Sequence, residues 1–422
     1  MLTQSNHYLD SHFELKEITF SNRVSASSPS EDFKRPVVIV KDLDCFVQSM
    51  LKERGYDPAT ALIKIGGDGG GEFFKLTLSI IDRHSTMNSP VKSARRTFNQ
   101  GVAPEQAKDT SAKRMFLVAL VPGISETYEN MQLLLSNLNL MDVSFKLNMD
   151  LKLANIIFGL SAHGAAHPCC YCEARKESGE WAERGGVKRT LGNIRKHFEN
   201  FHRAGAKLSS AKDYLNCIHE PLIPYDSSTY ILELFPPPEL HMLLGVFNDL
   251  YSGLEKSWSP EGLAEWTRPL GVKRAVWHGT AGSGHFQGGD CKKLLGSIDH
   301  LDSLTSLPQK RFVHALRALS KVVQGCFGMA LSLSFSEDIE EFKQAFCATN
   351  LSVTTKVHIL CVHVAEFCHQ YKRGLGLYSE QGSESLHHEF AEFWLNYKTR
   401  DTNKRMPERL FAAVCAFNSH HI

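Results

Sequence analysis

Residues 61–65 (Ala-Leu-Ile-Lys-Ile) and 73–81 (Phe-Phe-Lys-Leu-Thr-Leu-Ser-Ile-Ile) are short, largely apolar and rich in β-branched residues. Between them lies Gly66-Gly67-Asp68-Gly69-Gly70-Gly71. Two such runs joined by a glycine-rich turn read as a β-hairpin with buried strands. Met115–Val121, closed by Pro122-Gly123, reads as a further buried strand, and Val143–Met149 as another. Tyr128–Leu140 and Leu151–Leu160 carry helical spacing.

Antiparallel strands, a helix, a further strand and a helix match the start of an RNase H-like core and set the class as α/β. Residues 1–35 are polar, with the Ser-rich stretch Ser25–Ser30, and read as a flexible N-terminal segment. Residues 36–160 then form the first part of the core, interrupted by a polar insertion from Asp82 to Lys113. Residues 161–375 read as a zinc-bound, mainly helical insertion, with loops at Leu234–Pro238 and Gly282–Asp290. Residues 376–422 form a helical C-terminal segment.

Three acids fall at telling points of this pattern. Asp68 lies in the glycine-rich turn, Asp150 ends the 143–149 strand, and Glu384 opens the aromatic-rich helix Glu384–Tyr397. Taken singly, each has a plainer role: a turn aspartate, a helix N-cap, a solvated helix charge. Taken together, they suit a two-metal phosphoryl-transfer site. Mg²⁺ (or Mn²⁺) favours carboxylate oxygen, and two ions can hold the attacking and leaving oxygens in line.

A second set carries softer donors. Cys169 and Cys172 form a C-x-x-C pair, with Cys170 between them as a rival, and His358 and His363 are separated by four residues. Both spacings suit a tetrahedral Cys2His2 zinc site divided across the chain. Such an ion would staple the strand core to the segment that delivers the last acid. Four protein ligands leave no open position, which favours a structural role over a zinc hydrolase.

Composition narrows the partners. Lys plus Arg (47) nearly balances Asp plus Glu (46), so contact with DNA must come from local patches rather than a basic domain. Candidates are Lys92, Arg95 and Arg96, and Lys398, Arg400, Lys404 and Arg405. Eleven cysteines without framework spacing, and no signal-peptide run at Met1–His7, point to a reducing interior. No uninterrupted apolar stretch reaches the roughly 18 residues of a membrane helix.

With these motifs in view, residues 60–405 resemble the catalytic core of the V(D)J recombinase large subunit and the Transib transposases. Asp68 and its glycines resemble the family's first catalytic aspartate. Asp150, with Leu151-Lys152-Leu153, resembles the second, and Glu384-Ser385 the third acid. One extra residue in that last motif makes Glu380 a rival. Cys169-Cys170-Tyr171-Cys172-Glu173-Ala174-Arg175 is similar to the family's first zinc segment, and His358 and His363 to its second pair. Leu240-His241 with Gly245, and Gly288–Leu294, resemble motifs of the insertion. No counterpart is read of the family's DNA-gripping, dimerising N-terminal region or of its RING-type zinc module.

The resemblance implies a DDE-type transposase or recombinase of the nucleus. It would act on double-stranded DNA by metal-dependent strand cleavage and strand transfer, as a homodimer and with an accessory recombinase subunit. The alternative is a catalytically silent, transposon-derived scaffold that binds DNA or protein.

Overall fold

A computed structural model describes residues 8–22, 31–70, 72–82, 111–140, 143–161, 165–176, 178, 181, 183–274, 284–303, 307–398 and 404–422. The strands are β1 (Phe13–Asn22), β2 (Glu31–Val40), β3 (Leu62–Asp68), β4 (Phe73–Ile81), β5 (Met115–Pro122) and β6 (Lys146–Met149). They form one mixed sheet in the order β1-β2-β5-β4-β3-β6. Every neighbouring pair is antiparallel except β3 and β6, which run parallel.

Helices α1 (Leu43–Arg54), α2 (Tyr128–Ser136) and α3 (Leu151–Ile157) belong to the sheet region. A helical region follows: α4 (Leu191–Arg203), α5 (Ile231–Leu234), α6 (Glu239–Lys256), α7 (Pro260–Thr267), α8 (Gly288–Gly296), α9 (Leu307–Cys326) and α10 (Phe335–Cys347). It ends in one continuous run: α11 (Thr355–His358), a π turn (Ile359–Val364) and α12 (Ala365–Tyr371). Helices α13 (Gln381–Trp394) and α14 (Met406–Ser419) return to the sheet. Among the described residues, no helix is long and apolar enough to cross a membrane.

The period-2 alternation of the strands gives the sheet two unlike faces. Ile65, Phe74 and Leu76, with Leu147 and Met149, pack against Met131 and Leu134 of α2 and Leu153 and Ile157 of α3. The opposite face carries Lys64, Gly66 and Asp68 on β3, Lys75 and Thr77 on β4, and Asn148 on β6. Helix α13 covers it. Lys64 Nζ donates to the carbonyls of Leu377 (3.0 Å) and Ser379 (3.3 Å), and Asn148 Nδ2 donates to Ser379 O (3.0 Å). Thr77 Oγ1 meets Ser383 Oγ at 3.2 Å, and the Phe73 ring packs edge-on against Phe390 and Trp394. Burial pushes the Lys64 ammonium down to about 8, a cost accepted where two carbonyls need a donor.

One sequence expectation needs correction, and one element lacks an expectation. Residues 1–35 are not simply a polar tail: 13–22 is an edge strand, paired with β2 from Phe13↔Val40 to Asn22↔Glu31. Its charged residues mask a pattern in which Phe13 and Phe20 are fully buried. A helix to which the sequence reading assigns nothing also follows residue 35. Leu43, Phe46, Val47, Met50 and Leu51 are the buried stripe of α1, which Asp42 caps through Cys45 N (2.9 Å) and Gly55 ends at φ 66°.

Gly66 is where helix and sheet come closest. A Cβ there would lie 2.4 Å from Thr77 Oγ1, 2.7 Å from Ser383 Oγ and 2.9 Å from Asn148 O. These neighbours come from three elements and cannot all retreat. Gly66→Ala is therefore expected to cost about 1–3 kcal/mol, read as a lower midpoint in urea denaturation. An unchanged midpoint would mean that α13 does not seat on β3 this closely.

Candidate functional site

The parallel pairing of β3 and β6 ends at Gly67↔Met149. The next residues along each strand are Asp68 and Asp150, so the two acids emerge side by side from one end of the sheet. Asp150 also caps α3, its Oδ1 accepting from Leu153 N at 2.7 Å. The plainer role expected of it is thus real, and it occupies only one of the carboxylate oxygens. Glu384 sits in the first turn of α13, one residue beyond the Ser383 that rests on Thr77. Burial, and after it the charge of Asp68, raise the Glu384 carboxyl above its ordinary value.

Several basic groups hold these acids. His387, one helical turn after Glu384, brings Nε2 to 2.9 Å from Asp68 Oδ2, a contact not aligned as a hydrogen bond. Lys75 Nζ lies 3.0 Å from His387 Nδ1 and donates to Gly70 O at 3.2 Å. Burial works against the Asp68 carboxylate, but His387, then Lys75 and His241, outweigh it and lower its pKa. Lys75 itself is pushed down to about 8 by burial, with Asp68 and Glu384 opposing. Gly69 N donates to Glu126 Oε1 at 2.9 Å, which pins the glycine turn.

His241, near the start of α6, links the two candidates for the third acid. Glu380 Oε1 accepts from His241 N (2.8 Å) and faces its Nδ1 (3.0 Å), while His241 Nε2 lies 3.6 Å from Glu384 Oε1. Burial disfavours the imidazolium, yet Glu380, Glu384 and Asp150 raise the His241 pKa on balance. Glu380 is only 2% exposed and serves His241, whereas Glu384 is the acid that feels the Asp68 charge.

The cysteine–histidine set comes together tightly. One ligand atom from each of Cys169, Cys172, His358 and His363 falls within 4.8 Å of the others, and all four residues are buried. Cys172 Sγ is 3.4 Å from His358 Nε2, and His363 Nε2 is 3.2 Å from His358 Nε2. A tetrahedron with Zn–N near 2.0–2.1 Å and Zn–S near 2.3 Å has N···N edges of about 3.3 Å and S···N edges of about 3.5 Å. The donors match in kind and spacing, so the cluster could hold a metal ion such as zinc. Cys170 lies outside it, its thiol pushed up to about 12 by burial.

Local structure explains how the halves present their donors. On an ordinary α-helix, residues five apart point about 140° away from each other. The π turn Ile359–Val364 adds the residue that returns His363 to the face of His358. Trp181 stacks on the His358 ring at 3.8 Å and 5°, and its carbonyl lies 2.6 Å from His358 Nδ1. His363 Nδ1 is 3.3 Å from Glu366 Oε2, which also accepts from Tyr230 OH at 2.8 Å. Arg189, wholly buried, donates from Nε to the carbonyls of both Cys169 and Cys172, each at 3.0 Å. The hydrogen bond with Cys169, then those with His358 and His363, hold the Cys172 thiol far down, as a ligand thiolate requires.

Among the described residues, this cluster is the only group of three or more His, Cys, Asp or Glu that packs so closely. Asp68, Asp150 and Glu384 are neighbours without converging on a single point. Sequence reasoning missed His387, Lys75, Arg189 and Trp181. His387 was within reach, since helical spacing puts position i+3 on the face of Glu384. Of the suggested DNA-contacting residues, Lys92, Arg95, Arg96 and Arg400 lie outside the described residues, and Lys398 is ion-paired with Glu72. No family model matches the chain, and no curated protein matches its sequence.

Purified protein is expected to contain about one zinc per chain by atomic absorption. Cys172→Ser and His363→Ala should each lose it and melt at least about 5 °C lower. Full stability after stripping with a chelator would exclude a structural ion here. Because thiolate and neutral imidazole are the ligating forms, the ion and its stabilisation should be lost as pH falls.

Proposed function

We propose that this chain is a DDE-type DNA transposase- or recombinase-like protein with an RNase H-like core, cutting and joining DNA strands at Asp68, Asp150 and Glu384. The observation that carries the reading is the side-by-side exit of Asp68 and Asp150 from adjacent parallel strands, with Glu384 brought to them by α13. The antiparallel series β5-β4-β3, extended by β6 parallel to β3, supports the reading of an RNase H-like core.

The donor chemistry fits hard divalent cations: three carboxylates, none in the cysteine–histidine cluster. Held there, Mg²⁺ or Mn²⁺ would activate the attacking water or 3′-hydroxyl and stabilise the leaving oxygen. The protein's own groups do the rest. Asp150 keeps one oxygen on the α3 amide, which fixes the direction of the other. Lys75 Nζ meets His387 Nδ1, which fixes the ring with its Nε2 against Asp68. Glu380 fixes the His241 ring so that its Nε2 faces Glu384. The cysteine–histidine cluster serves this reading as a staple, tying residues 169–172 to the run that leads into α13.

Double-stranded DNA is the partner this chemistry needs, with a homodimer, an accessory recombinase subunit and the nucleus following from the same proposal. A scaffold that has lost its activity is the second reading. It is favoured by the spread of the three acids and by the His387 contact on Asp68.

The test is nicking of duplex DNA in Mg²⁺ or Mn²⁺. Losing an outer-shell partner of a metal ligand costs about 10–100-fold. Asp68→Ala, Asp150→Ala and Glu384→Gln, which remove a ligand itself, should each lower the rate by more than about 100-fold, with zinc content unchanged. Wild-type nicking that survives any of these substitutions would remove that residue from the site. DNA binding without metal-dependent cleavage by the wild-type chain would select the scaffold.

A further inference from the structure

Lys356 occupies an unusual channel. It precedes His358 on α11, and its side chain crosses α6 at Gly245. A Cβ on Gly245 would lie 2.1 Å from Lys356 Cδ, 2.9 Å from Nζ and 3.0 Å from Cε. Gly245 is four residues after His241, one helical turn along the same face. Glycine within a helix is less stable than alanine, so its use there is explained by the space it leaves for the lysine stem.

The ammonium that this gap admits is half-buried and acted on by the charges of Asp249, Asp150 and Glu380. Among the described residues it closes no ion pair with any of them. Asp249 turns instead to Thr354, whose Oγ1 lies 3.4 Å from its Oδ2. A lysine led by a dedicated gap to the edge of an acid site, and left without a hydrogen-bonded partner among the described residues, is poised for an anion that arrives with the substrate. An ammonium is a flexible point charge well matched to a phosphate oxygen.

We propose that Lys356, held in the Gly245 gap, binds a backbone phosphate of the nucleic-acid substrate on the Asp150 side of the site. This inference rests on the reading of the chain as a DNA-cutting protein and adds a residue that grips the substrate. A lysine that merely balanced the nearby carboxylates would act on stability or metal affinity instead.

The experiment is equilibrium binding of a duplex oligonucleotide across a salt series, with Ca²⁺ replacing Mg²⁺. Lys356→Ala should weaken binding about fivefold and reduce the slope of log K against log salt by about one. Lys356→Arg should restore most of both. In Gly245→Ala the flexible lysine gives way rather than the helix, so the variant should melt no lower than wild type yet bind DNA as weakly as Lys356→Ala. The double variant should bind no worse than Lys356→Ala alone. Zinc content is measured throughout, because His358 is two residues away.

If wild type binds DNA and Lys356→Ala matches it in affinity and salt slope, this inference fails and the proposed function stands. Additive losses in the double variant also overturn it, because Gly245→Ala would then act by another route. A wild-type chain that binds no duplex DNA removes the proposed function, and this inference with it.

Discussion

Helix α13 can reach the acid-bearing end of the sheet only because β3 has no side chain at residue 66. Three polar groups from three elements fill the space a methyl would need. Around that contact the sheet is built to hold the chain leading into the helix. Lys64 and Asn148, on neighbouring strands, grip the same Ser379 carbonyl. Burying a lysine and an asparagine is unfavourable unless their donors are used. Here the donors meet main-chain carbonyls that no strand or helix would otherwise satisfy. Asp68, Asp150 and Glu384 are neighbours because this polar face exists, not through any direct attraction among like charges.

The second device works at longer range. Cys172 and His358 are 186 positions apart, and most of the helical region lies between them. The entropy of closing a long loop grows slowly, about 0.6 kcal/mol for each doubling of length. A buried four-donor cluster can therefore join distant halves at modest extra cost. Its surroundings are organised for that purpose: Arg189 orders the cysteine backbone, Trp181 stacks on one imidazole, and Glu366 faces the other.

Much of the sheet was legible in the sequence because its strands are buried on both faces and rich in β-branched residues. The 73–81 strand matches the expected run, and 115–122 and 146–149 differ by a few terminal residues. The first strand was hidden because the residues between its buried ends, Phe13 and Phe20, only alternate between half-buried and exposed, and Lys16 and Glu17 read as a polar tail. Helix α1 carried a clear signal in its cap residues and apolar stripe, in a stretch to which the sequence reading assigned no element. The cysteine and histidine positions were legible by spacing, whereas the pairing of Cys169 with Cys172 over Cys170 depends on which thiols face the histidines. The role of Glu380 could not be read from the chain, because it is set by one imidazole arriving from α6.

The π turn between the two histidines has a consequence for how this segment tolerates change. Deleting one residue from Ile359–Val362 would leave the imidazoles four apart, a spacing an ordinary helix also presents on one side. The donor pair would survive, and the chain beyond it would keep its angular phase, because the turn absorbs its extra residue locally. Glu366 would stay against His363 and Tyr230, and Phe367 and Cys368 would stay buried. The extra residue is thus confined to the turn, so a length change there that spares every ligand would leave α12 aimed as it is.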